Sequence, residues 1–157
     1  MATQAAVESG AYERALRAQI PDVKIFAKGC PGLVPLIEAG HICPGDAEIE
    51  TAVAKYLEEI RRQRPDTLIL GCTHYPLIRD VVQAYMGSDV TLIDSGGEAA
   101  LALLDFLKQK AKTAPDNISG NPQYYCSARL AEFEDISQLF LRRDISASAC
   151  QINIESY

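Results

Sequence analysis

The chain has 157 residues, 48% of them hydrophobic and 23% charged, a balance that fits one soluble globular domain and argues against disorder or low complexity. Fifteen Lys and Arg stand against 21 Asp and Glu, a formal net charge of -6, so nothing supplies the positive field that nucleic acid or an anionic membrane surface would attract. No apolar run approaches the ~20 residues needed to cross a bilayer. The first residues, Met1-Ala2-Thr3-Gln4, have neither a basic nor an apolar leader character, which places the chain in the cytoplasm with no membrane partner.

In chain order, residues 11–19 read as a helix stopped by Pro21, and residues 23–28 as a short strand bounded by Gly29. Residues 31–45 are loop-like, their Pro and Gly residues bracketing one apolar turn from Leu33 to Ile37. Asp46 is a natural N-cap for a helix with Ile49, Val53, Leu57 and Ile60 on one stripe and Arg61, Arg62 and Arg64 near its negative end. Pro65 ends that helix. Thr67 to Leu70 has no polar alternation, as expected of a strand buried on both faces, and Pro76 can open a helix that runs through Met86 to Gly87. Val90 to Ile93 repeats the buried-strand pattern, Asp94-Ser95-Gly96-Gly97 reads as a turn, and Glu98 to Lys110 as a helix. After a polar linker at 111–122 come a strand at 123–127, a helix near 130–142 and a last strand within 145–154. Alternating strands and helices with short connections predict an α/β, parallel-sheet layer sandwich. In such sheets ligands gather at the C-terminal ends of the strands, here Gly71-Cys72-Thr73-His74 and Asp94-Ser95-Gly96-Gly97.

Five cysteines, at 30, 43, 72, 126 and 150, form no C-x-x-C pair and have only two histidines to join them. A disulfide framework and a metal site are both disfavoured. At Cys72 a buried strand gives way to a helix, so backbone N–H groups and the helix dipole favour a thiolate, and His74 can serve as its proton partner. The plainer alternative makes Cys72 a packed core thiol and His74 a satisfied capping residue. Cys30, Cys43, Cys126 and Cys150 lie in ordinary turn, strand or tail settings. His41 reads as solvated or capping, Glu58-Glu59 and Arg61-Arg62 as a solvated helix end, and Tyr124-Tyr125 as one core and one surface residue of a strand. Gly96-Gly97 lacks the spacing of a dinucleotide or phosphate loop.

The string Gly71-Cys72-Thr73-His74-Tyr75-Pro76 resembles the second cysteine motif of the glutamate racemases, within the aspartate/glutamate racemase superfamily. The opening of the chain, residues 2–12, and the stretch Cys30-Pro31-Gly32-Leu33-Val34-Pro35-Leu36-Ile37-Glu38 are similar to further segments of that family, as are Asp94-Ser95-Gly96-Gly97 and Tyr124-Tyr125 with the last helix. The resemblance implies cofactor-independent interconversion of L- and D-glutamate, which supplies D-glutamate for peptidoglycan. Two thiols in opposite protonation states act on opposite faces of Cα. By matching position it makes Cys72 the thiol that deprotonates the L-isomer, His74 its assistant, Thr73 a substrate-binding residue and Glu38 a carboxylate near the site, and it implies no metal or organic cofactor.

The resemblance also implies an incomplete fold. The family carries, in an N-terminal half, a D-S-G segment and an A-C-N-T segment with the other thiol, and neither is found in this sequence; Asp94-Ser95-Gly96 lies downstream of Cys72 and is a different segment. Residues 1–93 are then expected to form the second α/β domain, and residues 94–157 a return segment that packs on the missing half. Left uncovered, that segment exposes Leu103, Leu104 and Leu107, or Phe133, Ile136 and Phe140, and a homo-oligomer becomes a fair expectation. Three readings stay open: the C-terminal part of a racemase, impaired alone; a non-catalytic truncated product or association module; and a superfamily relative with one cysteine.

Overall fold

The computed structural model describes residues 1–115 and 120–156. They fall into two compact units, one spanning Met1–Phe106 and one beginning at Leu107. Part of the expected polar linker, residues 116–119, lies outside the described residues.

The first unit opens with two short helices, α1 (Gln4–Glu8) and α2 (Ala11–Gln19). The Thr3 side chain accepts from the Ala6 N–H and starts α1, and Gly10, at φ +61°, makes the left-handed corner between the two. The strand expected at 23–28 does not form. Those residues take no regular structure: Val23 N–H turns back to the Ile20 carbonyl at 3.1 Å, and only at the far end does a strand-like contact form, where Ala2 donates to the Lys28 carbonyl at 3.0 Å and bridges to Gly29. A run without a ladder partner along it is not a strand.

Leu33–Glu38 forms α3, a turn and a half of helix where the sequence suggested one apolar turn. Asp46 caps α4 (Ala47–Arg62) as expected, its carboxylate accepting from Glu48 N–H at 3.0 Å, and the predicted stripe of Ile49, Val53, Leu57 and Ile60 is buried. β1 (Thr67–Leu70) pairs in parallel with β2 (Thr91–Asp94), Thr67 opposite Thr91 and Leu70 opposite Asp94. The crossover between them begins as a 3-10 turn, Tyr75–Ile78, with Pro76 at its start, and becomes α5 (Arg79–Met86) only afterwards. Gly87, at φ +95°, ends it.

Two expectations are corrected at the sheet. β1 is not buried on both faces: Leu68 and Leu70 are, but Thr67 is exposed and Ile69 half-buried, because that side borders an open cleft. Asp94-Ser95-Gly96-Gly97 is not a free turn, since α6 (Ser95–Gln109) starts at Ser95 and the Asp94 carboxylate accepts from Gly96 N–H at 2.9 Å, taking up a donor that the helix leaves unpaired.

One apolar core gathers α3, α4, α5, β1 and β2, with Tyr75, Leu33, Ile37, Ile49, Leu57 and Leu70 among its largest wholly buried side chains. Each such aliphatic side chain stabilises the fold by about 1.5–3 kcal/mol. By contrast α6 buries none of its residues, and Leu101, Leu103, Leu104 and Phe106 are exposed.

In the second unit β3 (Tyr124–Cys126) and β4 (Ala149–Gln151) pair in parallel, with α7 (Leu130–Leu141) between them in the chain. The last strand is shorter than expected. Asp144 accepts from Ser146 N–H at 2.8 Å, and 3-10 turns at Ser146–Ser148 and Ile154–Ser156 bound it on both sides. Tyr125 is on the surface as expected, but Tyr124 is only half-buried and is not a core residue.

Candidate functional site

The hexapeptide at the C-terminal end of β1 is held from both directions. Upstream, Gly71 N–H donates to the Met1 carbonyl at 2.9 Å, and a Cβ at Gly71 would lie 3.0 Å from that of Ala2, so no side chain fits between these backbones. Downstream, Tyr75 N–H donates to the Cys72 carbonyl at 3.2 Å and closes the turn Cys72-Thr73-His74. The Tyr75 ring is wholly buried, with its hydroxyl 3.0 Å from the Cys30 carbonyl and 3.2 Å from that of Ala2, sharing one proton between two acceptors. Sequence reading missed this anchor; its signal was an aromatic residue directly after the turn that carries Cys72.

The turn presents its polar side chains together. His74 Nε2–H donates to Glu38 Oε1 at 2.9 Å, and Thr73 Oγ lies 3.4 Å from His74 Nδ1. Glu38 is the last residue of α3, so the end of that helix supplies the carboxylate. With Nε2 protonated toward Glu38, neutral His74 carries a lone pair on Nδ1, the side that Thr73 faces. Cys72 is half-buried and packs against the core. The four residues singled out in the sequence, Glu38, Cys72, Thr73 and His74, thus occupy one edge of the first unit. The end of β2 lies beside them, Ser95 Oγ–H donating to the Leu70 carbonyl at 3.2 Å.

The other thiols differ sharply in setting. Cys30 is wholly buried, and loss of hydration pushes its thiol up to about 11, with the nearby Met1 ammonium and Lys28 opposing that rise. Cys43 and Cys150 are exposed, Cys126 is half-buried, and all five are free. Burial likewise pushes the Tyr75 phenol up.

His41 acts as a capping partner: its Nδ1 lies 2.8 Å from the N-cap carboxylate of Asp46 and its Nε2 3.5 Å from Glu48. Its pKa is raised, first by the hydrogen bond to Asp46, while Asp46 is lowered by the same bond. The end of α4 is not simply solvated, as the sequence suggested. Tyr85 O–H donates to Glu58 at 2.6 Å and Arg61 lies over the Tyr85 ring at 5.0 Å, tying α4 to α5.

Among the described residues no group of three or more His, Cys, Asp and Glu is placed to hold a metal ion, and no helix is long and apolar enough to cross a membrane. A cleft of about 590 Å³ opens elsewhere in the first unit, and none of Glu38, Cys72, Thr73 or His74 lines it.

A parallel α/β unit with a thiol, a threonine and a carboxylate-paired histidine at one strand end defines the class, a chain with the fold and strand-end motif of the aspartate/glutamate racemase type. No protein-family model matches the chain. It is 37% identical to glutamate racemase of Desulforudis audaxviator over 92% of its own length and 54% of that protein. It is 36% identical to glutamate racemase of Lactiplantibacillus plantarum over 90% of its length and 51% of that protein. In structure it matches the glutamate racemase isoform RacE1 of Bacillus anthracis with a TM-score of 0.83 at 30% identity, covering 94% of this chain and 54% of that one. The chain belongs to the glutamate racemase family, and it spans about half the length of the curated relatives it matches.

Proposed function

We propose that this chain is the C-terminal part of a glutamate racemase, carrying the half of the site that acts on L-glutamate. The observation that supports it most is the placement of Cys72, Thr73 and His74 at the C-terminal end of β1, with His74 bonded to Glu38 at 2.9 Å, within a chain similar to glutamate racemases over nine-tenths of its length. In this reading the Cys72 thiolate takes the Cα proton of L-glutamate, and Thr73 donates to a substrate carboxylate. His74, oriented by Glu38, relays the proton from the thiol, so that the chemistry needs no metal or organic cofactor.

A stereocentre inverts only if the carbanion is reprotonated from the opposite face. This chain has no second thiol in a matching motif, so proton removal can survive here while inversion falls by orders of magnitude. Its biological role in this reading is to supply D-glutamate for peptidoglycan in the cytoplasm, as part of a larger assembly. The domain limits follow the same logic: residues 1–93 serve as the half-site domain and residues 94–157 as a segment that packs on the other half. The exposed apolar residues of α6, Leu101, Leu104 and Phe106 among them, favour association with such a half or with a second copy.

Incubation of the chain with L-glutamate in D2O, following deuterium at Cα and optical rotation together, tests the reading. Exchange without inversion is the expected result, and it should vanish in Cys72→Ala. No exchange, or exchange unchanged in Cys72→Ala, overturns it and leaves a non-catalytic association module; full racemisation points to a second acid in this chain.

A further inference from the structure

Helix α3 has only six residues, Leu33–Glu38, and it carries the carboxylate that pairs with His74 at its last position. Leu33 and Ile37 are wholly buried and root the helix in the core, while Glu38 lies exposed beyond them. Its bond to His74 Nε2, 2.9 Å long, is lost if that end of the helix moves by about 1 Å. The position of the last turn of α3 therefore decides whether the pair forms.

Both ends of α3 are tied to α4. At the start, Gly32 N–H donates to the Tyr56 hydroxyl at 3.1 Å, and a Cβ on Gly32 would lie 2.8 Å from that oxygen, so only glycine lets the hydroxyl reach the backbone. At the end, the chain turns through Gly40 at φ +94°. Gly40 N–H donates to the Ile37 carbonyl at 2.9 Å and His41 N–H to the Leu36 carbonyl at 3.0 Å, the paired closure of a helix that stops at a left-handed glycine. By its backbone His41 thus belongs to the end of α3. By its side chain it belongs to the start of α4, where Nδ1 lies 2.8 Å from the N-cap carboxylate of Asp46 and Nε2 3.5 Å from Glu48. Asp46 is itself fixed, because its other oxygen accepts from Glu48 N–H at 3.0 Å.

We infer that His41 is a positioning residue of the site, which locks the end of α3 to the N-cap of α4 and so holds Glu38 where it accepts from His74 Nε2–H. The inference rests on the reading in which His74, oriented by Glu38, serves Cys72. The lock is short: one backbone bond and one side-chain bond of the same residue join two helix ends, and Glu38 stands three residues before it. The buried contacts of Leu33 and Ile37 set the depth of α3 in the core, and the polar ties at Gly32 and His41 set how the helix is turned about its own axis.

Long-range proton–nitrogen correlations of the labelled chain, taken where both imidazoles are neutral, test the inference by the ratio of the Nε2–H to the Nδ1–H tautomer of His74. His41→Ala should lower that ratio about fivefold, the weight of one ordinary hydrogen bond. His41→Asn, which keeps an N–H where Nδ1 stands, should restore it, and in a Glu38→Ala background His41→Ala should change nothing further. Should His41→Ala fail to fold, His41→Leu fills the place of the ring without a donor and carries the same comparison. An unchanged ratio, an equal fall in the Glu38→Ala background, or no recovery in His41→Asn overturns the inference. None of these readouts uses catalysis, so a chain that exchanges no Cα proton in D2O would remove the racemase reading and leave this one standing.

Discussion

His74 and Glu38, 36 residues apart in sequence, are joined by a 2.9 Å hydrogen bond from Nε2–H to a carboxylate oxygen. The bond connects the turn after β1 to the end of α3, and it orients the imidazole with Nδ1 toward Thr73. A carboxylate behind a histidine fixes its tautomer and orientation, which is the state a proton relay requires.

The first prediction follows from that bond. Neutral His74 should be found as the Nε2–H tautomer, read from long-range proton–nitrogen correlations of the labelled chain. Glu38→Gln retains an acceptor and should retain the tautomer, whereas Glu38→Ala should give a mixture. An Nδ1–H tautomer in the unaltered chain would rule out the relay geometry.

Stability should fall as pH rises from about 9 to 11, because Cys30 is held protonated in the fold up to about 11 while its ordinary value is 9.0. Between those values the unfolded chain has lost the thiol proton and the folded chain keeps it. Unfolding therefore releases a proton, and raising the pH favours it. A shift of this size is worth on the order of 2 kcal/mol. Urea unfolding midpoints measured at pH 8, 9.5 and 11 should show the decline, shallower in Cys30→Ala; a flat profile would mean that the thiol is not isolated from water.

Thiol alkylation should follow exposure at one end of the scale. Cys43 and Cys150 are open to reagent, while Cys30 is wholly buried and hard to ionise, so Cys30 should be the slowest of the five. Cys72, half-buried at its turn, should fall between the exposed thiols and Cys30. Peptide mapping after brief alkylation measures all of them at once, and a fast Cys30 would contradict the packing described for it.

Tyr75→Phe should destabilise the first unit by about 1 kcal/mol, since the carbonyls of Cys30 and Ala2 keep other donors, Leu33 and Cys30 N–H respectively, and lose one shared proton. Tyr75→Ala should cost far more, about 3–5 kcal/mol, by emptying the centre of the core. Equal losses in the two variants, measured by chemical denaturation, would show that the hydroxyl and not the ring is the anchor.

The His41 and Asp46 pair should support α4 most between the ordinary carboxylate range and the raised value of His41. Below that window Asp46 takes up a proton and the bond weakens; above it His41 loses its charge. In Asp46→Asn the His41 titration followed by NMR should move to lower pH, because the largest cause of its rise is removed. An unmoved titration would assign the rise to Glu48.

Several features were legible along the chain because they depend on neighbours in sequence. The cap at Asp46, the buried stripe of α4 and the stop at Gly87 each follow from the local geometry of a helix and its ends, and the apolar runs of β1 and β2 already named the strands. The strand-end hexapeptide was recognisable for the same reason, as a local string. Tertiary structure decided what depends on distant partners. Residues 23–28 have the composition of a strand, but pairing needs a second edge alongside, and only Ala2 supplies one. β1 looked buried on both faces, yet whether Ile69 is covered depends on what fills the adjoining cleft. The approach of Glu38 to His74, and the reach of the Tyr75 hydroxyl to Cys30 and Ala2, close loops of 36, 45 and 73 residues, and only the packing of the whole unit brings those ends together.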